Sequence, residues 1–301
     1  MRDFQDRLII FVSASLRACA VSFSGVILAL HLSAMGWNSF LIGGLISFGL
    51  MGSALATLMV IFLSEKIKKK TSLIGISFLM GFGGLAFALT KNSAVLMAAA
   101  LLGVVNGMGR DRGASMTLEQ AVLPEMATDR EHTQIFAWYN VFVDVGNSIG
   151  ALAGLAPAIF RSHGMTCLFS YQGSWGIYSC LCFGSGLLLL GLSKSVDPEG
   201  PAWTLKLSPS SRSIITKFAA LSGLDSLGGG FLTTAMIGFW FFKRFGTDET
   251  VLAQLFFLKP IFSLTSLSDL PQLEQPFRIL NSSSVLFLYS KLSRINKVIL
   301  G

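Results

Sequence analysis

Long apolar stretches alternate with short polar breaks along this chain. Uninterrupted apolar runs cover residues 8–35, 40–63, 72–90, 93–109, 134–160, 174–192 and 214–242. Each is close to or above the roughly 17 to 25 residues that cross a bilayer core as a helix. The pattern predicts an all-α polytopic membrane helix bundle with seven crossings. The first run is too long for the roughly 7 to 15 apolar residues of a secretory leader, and further spans follow it. Between the fourth and fifth runs, charges gather at Arg110, Asp111 and Arg112, and again at Asp129, Arg130 and Glu131. Such a segment reads as a turn in water between two spans.

The remaining breaks divide the chain. Residues 1–193 read as a six-helix transmembrane bundle. Residues 194–213, with Asp197, Pro198, Gly200, Pro201 and Pro209, read as a cytoplasmic linker. Residues 214–258 read as the start of a second bundle, comprising a seventh span and part of an eighth. Laying the first span on the seventh puts Leu16 and Arg17 on Leu224 and Asp225, and Phe23 on Phe231, which suggests two parallel halves. An eighth span should begin near Thr250, but Lys259, Pro260, Asp269, Pro271, Glu274, Pro276 and Arg278 interrupt it. The expectation is an atypical tail over 259–301, with truncation or a frameshift near residue 259.

Composition agrees with the pattern. Hydrophobic residues make up 52% and charged residues 13%, against about a quarter charged in soluble domains. The net charge of +7 would suit a nucleic-acid binder, so its distribution decides its meaning. One set of connections carries Arg2, Arg7, Lys66, Lys68, Lys69, Lys70, Arg110, Arg112, Arg130, Lys194, Lys206, Arg212 and Lys217. The other carries only Lys91, Arg161, Lys243 and Arg244. By the positive-inside rule the amino terminus is cytoplasmic, and no nucleic-acid partner is needed to explain the charge. Four cysteines, three of them in apolar runs, do not make a disulfide framework. No His-Glu-x-x-His, Walker loop or nucleophile elbow occurs, so neither enzyme chemistry nor a metal or other cofactor is expected.

Ionisable residues inside spans are the candidates for function, because each costs at least about 2.5 to 3.5 kcal/mol to insert. Ser13, Arg17, Ser24 and His31 fall on one face of the first span. Arg17 is either a substrate or counter-ion contact or one half of a structural interhelical pair. His31, near the outer end, reads as a solvated imidazole. In the fifth span Asn140, Asp144 and Asn147 share a face, beside a row of Gly146, Gly150 and Gly154 that would admit a neighbouring helix. Asp144 is either a proton-coupling acid or the partner of Arg17 or another buried cation. In the seventh span Asp225 is a candidate for ion or substrate coupling. The neighbouring glycines 228–230 lack the lysine of a phosphate loop.

The turn Ser64-Glu65-Lys66-Ile67-Lys68-Lys69-Lys70 lies between the second and third spans. Its order resembles the signature Gly-x-x-x-Asp-Arg-x-Gly-Arg-Lys of the major facilitator superfamily. Glu65 matches the acid, Lys66 the first base, and Lys69 and Lys70 the final pair, while Ile61 and Lys68 replace the two glycines. Phe136 to Asn140 and Leu224 to Gly246 are similar to bacterial permeases of that superfamily, and Gly150, Gly154 and Pro157 to its antiporter motif. The likeness runs over about residues 8–258. It implies a twelve-helix fold of two bundles around a central cavity. It also implies a cytoplasmic gating latch between the bundles built from Glu65, Lys66, Lys69 and Lys70 with Arg110, Asp111 and Arg112.

The resulting expectation is a secondary active transporter of small solutes working by alternating access, with proton-coupled efflux as the preferred form. Its partners would be membrane lipid, a small-molecule substrate, and protons or another coupling ion. Its place would be the bacterial inner membrane. The alternative is a non-transporting truncated remnant of such a transporter.

Overall fold

The computed structural model of the 301-residue chain describes residues 2–63, 67–126, 131–193, 216–217, 220–221 and 232–268. The chain divides into two compact units, 1–261 and 262–301. Of the second unit only the helical backbone of residues 262–268 is described.

The described residues form helices and no strands. In chain order these are α1 (Arg2–Ala34), α2 (Ser39–Leu63), α3 (Lys69–Leu89), α4 (Ser93–Leu102), α5 (Ala114–Val122), α6 (His132–Ala153), α7 (Ala156–Ser162), α8 (Cys167–Leu190), α9 (Thr234–Phe245) and α10 (Glu249–Ser268). A 3₁₀ turn, Leu123–Met126, extends α5. Five segments are long and apolar enough to cross a membrane: Phe4–Ala34, Ser39–Phe62, Lys69–Leu89, His132–Ser162 and Cys167–Leu190.

α1 sits at the centre, in contact with α6, α8 and α9, while α3 packs on α8 and α2 on α4. Its apolar residues are buried all round, from Ile10 and Ala14 through Phe23, Ile27 and Leu28 to Leu32, as a helix enclosed by others requires. Small residues allow the enclosure. A Cβ at Gly146 would overlap the Ser15 carbonyl oxygen, and one at Gly150 the Cys19 carbonyl oxygen. α1 and α6 therefore touch backbone to backbone. α2 turns Phe48, Met51, Leu55, Met59 and Phe62 outward, a face suited to lipid or to further protein.

Two spans differ from their expected form. The fourth does not end at residue 109 and turn round in water. α4 stops at Leu102, residues 103–113 run without helix, and α5 then continues to Val122. Glycine is the cause. Gly107, Gly109 and Gly113 take φ of +66°, +75° and +52°, which a chain of L side chains resists. Val104, at φ +55°, is a strained exception. The fifth span is likewise two helices, α6 and α7, parted at Gly154 and Leu155 ahead of Pro157. The seventh span is described mainly by α9, so its expected start at residue 214 and the whole of the 194–213 linker lie outside the described residues.

One end of the bundle is tied by charged groups. Arg7 donates from Nε to the Met126 carbonyl at 2.8 Å and pairs with Glu131 at 3.0 Å. Asp6 accepts from the Ser193 backbone N–H at 3.0 Å. At the opposite end Arg161 pairs with Glu249.

Candidate functional site at the unwound fourth span

Half-way along α1, Arg17 is fully buried among polar groups from three other helices. Its Nε and Nη2 donate to Glu119 Oε1 of α5 at 3.1 and 2.5 Å. Its Nη1 donates to Ser77 of α3 at 2.9 Å and to Ser185 of α8 at 2.5 Å. Glu119, also fully buried, uses its second oxygen for Arg112 Nη1 at 2.7 Å and for the Tyr139 hydroxyl of α6 at 2.5 Å. Arg112 Nη2 donates to the same Tyr139 oxygen at 2.9 Å.

This is a sealed cluster of two guanidiniums, one carboxylate and one phenol. Each charge there would cost several kcal/mol if left alone, so close pairing is a condition of the fold. Among the described residues Arg112 Nε has no partner. The arrangement follows from local structure. Arg112 and Glu119 are two helical turns apart, so the carboxylate at the buried face of α5 can reach back to the guanidinium at its entrance.

Beside the cluster, Asp111 folds the unwound stretch. Its Oδ1 accepts from the Gly113 N–H at 2.8 Å, and its Oδ2 from Ser53 of α2 at 2.8 Å and Asn106 at 3.0 Å. Such carboxylate-to-backbone bonding supports a turn where the helix has opened. Arg110 points the other way, to Asp144 of α6, at 3.5 Å. Both side chains are partly exposed, at 44% and 28%, so this is the loosest and wettest pair of the set. Asn140 lies exposed one turn before Asp144 on α6. Asn147 is buried, and its side-chain oxygen has no partner among the described residues. At this depth Arg17, Arg110 and Arg112 balance Asp111, Glu119 and Asp144.

The unwound stretch also meets the seventh span. Its freed carbonyls at Gly107 and Met108 accept from the Ala235 N–H at 3.0 Å and the Thr234 hydroxyl at 2.8 Å. Open backbone inside a membrane is tolerated where it is satisfied in this way. Gly109 packs against Thr234 and Gly25.

The residues singled out from the sequence are redistributed accordingly. Arg17 pairs with Glu119, not with Asp144. Arg110, Asp111 and Arg112 lie at mid-bundle depth beside Arg17 and not at the cytoplasmic end of a span, because the fourth span continues through α5. Lys69 pairs with Glu125 at 2.5 Å, and Lys70 donates to the carbonyls of Leu190, at 2.9 Å, and Leu192. These three bonds lie within residues 1–193. Gly146, Gly150 and Gly154 all lie against α1, the last beside Val26. Glu65, Lys66 and Asp225 lie outside the described residues.

His31 is not solvated. It is fully buried, accepts at Nδ1 from Trp175 Nε1 at 2.8 Å and stacks on Tyr171. Glu119 and Tyr139 are not among the residues that the sequence pattern singles out. The available signal was a carboxylate two turns after Arg112, hidden once the span was closed at residue 109. No cluster of three or more metal-ligating side chains occurs among the described residues.

Comparison with known proteins follows this architecture. The D-xylose-proton symporter structure superposes with a TM-score of 0.60 at 15% identity, over 88% of this chain and 67% of that one. PepTSo2 gives 0.57 at 11% identity, over 92% and 56%. A bacterial homologue of the human drug peptide transporters gives 0.54 at 12%, over 89% and 54%. At such identities the likeness is one of fold. An uncharacterized membrane protein of Saccharomyces cerevisiae is 21% identical over 87% of this chain and 66% of its own length. The chain thus spans about half to two thirds of the proteins it matches. The family model described as Major Facilitator Superfamily matches residues 10–289, beyond the residue 258 at which the motif likeness ended. The chain is therefore a multi-pass membrane protein of the Major Facilitator Superfamily.

Proposed function

We propose that this chain serves secondary active transport of a small solute by alternating access, with the unwound fourth span as the solute-facing element. The observation that carries the reading is the coincidence, at one depth, of opened backbone over 103–113 with Arg110 and Asp144 partly exposed beside it. Interrupted spans at the midplane supply the polar contacts of transporter binding sites. The sealed Arg17–Glu119–Arg112–Tyr139 cluster holds the break rigid. The accessible Arg110, Asp144 and Asn140 are the proposed contacts for solute or coupling ion, with Asp225 as the candidate in the seventh span. The cargo classes of the structural neighbours, a sugar with a proton and peptides, support a small polar solute and proton coupling. Efflux rests on the glycine row of α6 alone. The proposed location is a cell membrane, the bacterial inner membrane on the permease resemblance, with the amino terminus cytoplasmic by the positive-inside count.

The test is transport by the full chain in proteoliposomes under an imposed pH gradient, screened over sugars, peptides and small drugs. Uptake or export abolished in Asp144→Asn at unchanged insertion is the expected result. Unchanged transport in that variant removes Asp144 from the mechanism, and no transport of any solute returns the non-transporting reading.

A further inference from the structure

We infer that the solute held between Arg110 and Asp144 is an α-amino acid in its zwitterionic form. The inference rests on the transport reading above and names the class of cargo for that same site.

Charge balance carries the first step. Among the described residues at this depth the bases and acids match: Arg17 and Arg112 share Glu119, Asp111 lies beside them, and Arg110 pairs with Asp144. A solute with a net charge adds an unmatched ion to this interior, whereas one that carries both signs adds none.

Both signs also have a place to bind. Among the described residues Arg110 makes one side-chain hydrogen bond, a long one of 3.5 Å to Asp144 Oδ1, so most donors of its guanidinium fork are free for a carboxylate. Asp144 Oδ2 is free for an ammonium. One turn further along α6, Asn147 is 5% exposed and its side-chain oxygen is an acceptor with no partner among the described residues. Positions 144 and 147 lie on one side of the helix with about 5 to 6 Å between their Cβ atoms. One ammonium, with three N–H donors, spans that gap.

The separation of Arg110 from Asp144 sets the size of the zwitterion. In an α-amino acid the ammonium and the carboxylate stand on the same carbon, so they lie side by side along the pair. The four charges then alternate round a ring, each between two of opposite sign, and the pair does not have to part. A dipeptide sets its termini a further Cα step, about 3.8 Å, apart. It cannot close the same ring.

The test is equilibrium binding to the purified full chain in detergent, by scintillation proximity with each of the standard amino acids in tritiated form, so that no transport is required. For those that bind, the N-acetyl derivative, the amide and the homodipeptide should each compete at least about ten-fold more weakly than the amino acid, the worth of one charge-assisted contact. Asp144→Asn should bring the amino acid down to its N-acetyl derivative, and Arg110→Gln down to its amide. Competition by a capped form or the dipeptide equal to that of the amino acid overturns the assignment, and so does parent affinity in either variant. Binding of no amino acid overturns it too, while the transport reading then stands or falls by the proteoliposome assay with other solutes.

Discussion

Arg17 and Glu119 stand 102 positions apart in the chain, yet their side chains meet at 2.5 Å with neither reachable by water. That contact ties the central helix to the far side of the opened fourth span. Arg112 and Tyr139 then bind the same carboxylate from the stretch itself and from α6. One acid thus fixes the geometry of three elements.

The cluster holds two cations for one anion, which orders the effects of its loss. Glu119→Gln leaves two buried guanidiniums facing each other and should cost about 3 to 5 kcal/mol. Arg17→Met leaves the neutral Glu119–Arg112 pair and should cost clearly less. Thermal unfolding of the two variants in detergent, followed by size-exclusion fluorescence, checks the order.

Arg110 and Asp144 should behave in the opposite manner. Being half in water and 3.5 Å apart, their pair should contribute no more than about 1 kcal/mol. Arg110→Gln and Asp144→Asn should therefore melt close to the parent while losing transport. A large loss of stability in either would instead make this pair a structural one.

The backbone contact of α1 with α6 leaves no space for a side chain. Gly150→Val should push the Cys19 carbonyl away and cost more than the roughly 1 to 3 kcal/mol typical of overpacking. Gly176→Ala, within helix α8 where nothing lies within 4 Å, controls for glycine loss. The yield of monodisperse protein after extraction separates the two.

Topology can be read directly. A reporter inserted between Ile67 and Lys68 should be cytoplasmic, and one between Gly164 and Met165 should face the opposite side. Both in one compartment would invalidate the span order on which everything else is built.

Helical class was legible in the apolar runs, because a span must be both long and greasy, whereas the fourth and fifth runs each resolve into two helices. The stripe of Ser13, Arg17, Ser24 and His31 was legible too, since helical periodicity alone puts those residues on one face, and all four are buried. What they face was not. Run lengths suggested that the charges at 110–112 left the membrane. In three dimensions Asp144, Glu119, Ser53 and Asn106 neutralise or bond them, so they stay inside. Hydropathy scores a charge by itself, whereas its cost depends on the partner the fold supplies. The sequence by itself therefore determined that this protein crosses a membrane repeatedly and which few polar residues must be accommodated there. Only the tertiary structure decided that the fourth span opens between Leu102 and Ala114 and which acid meets which base, because pairs 102 positions apart leave no trace in local periodicity.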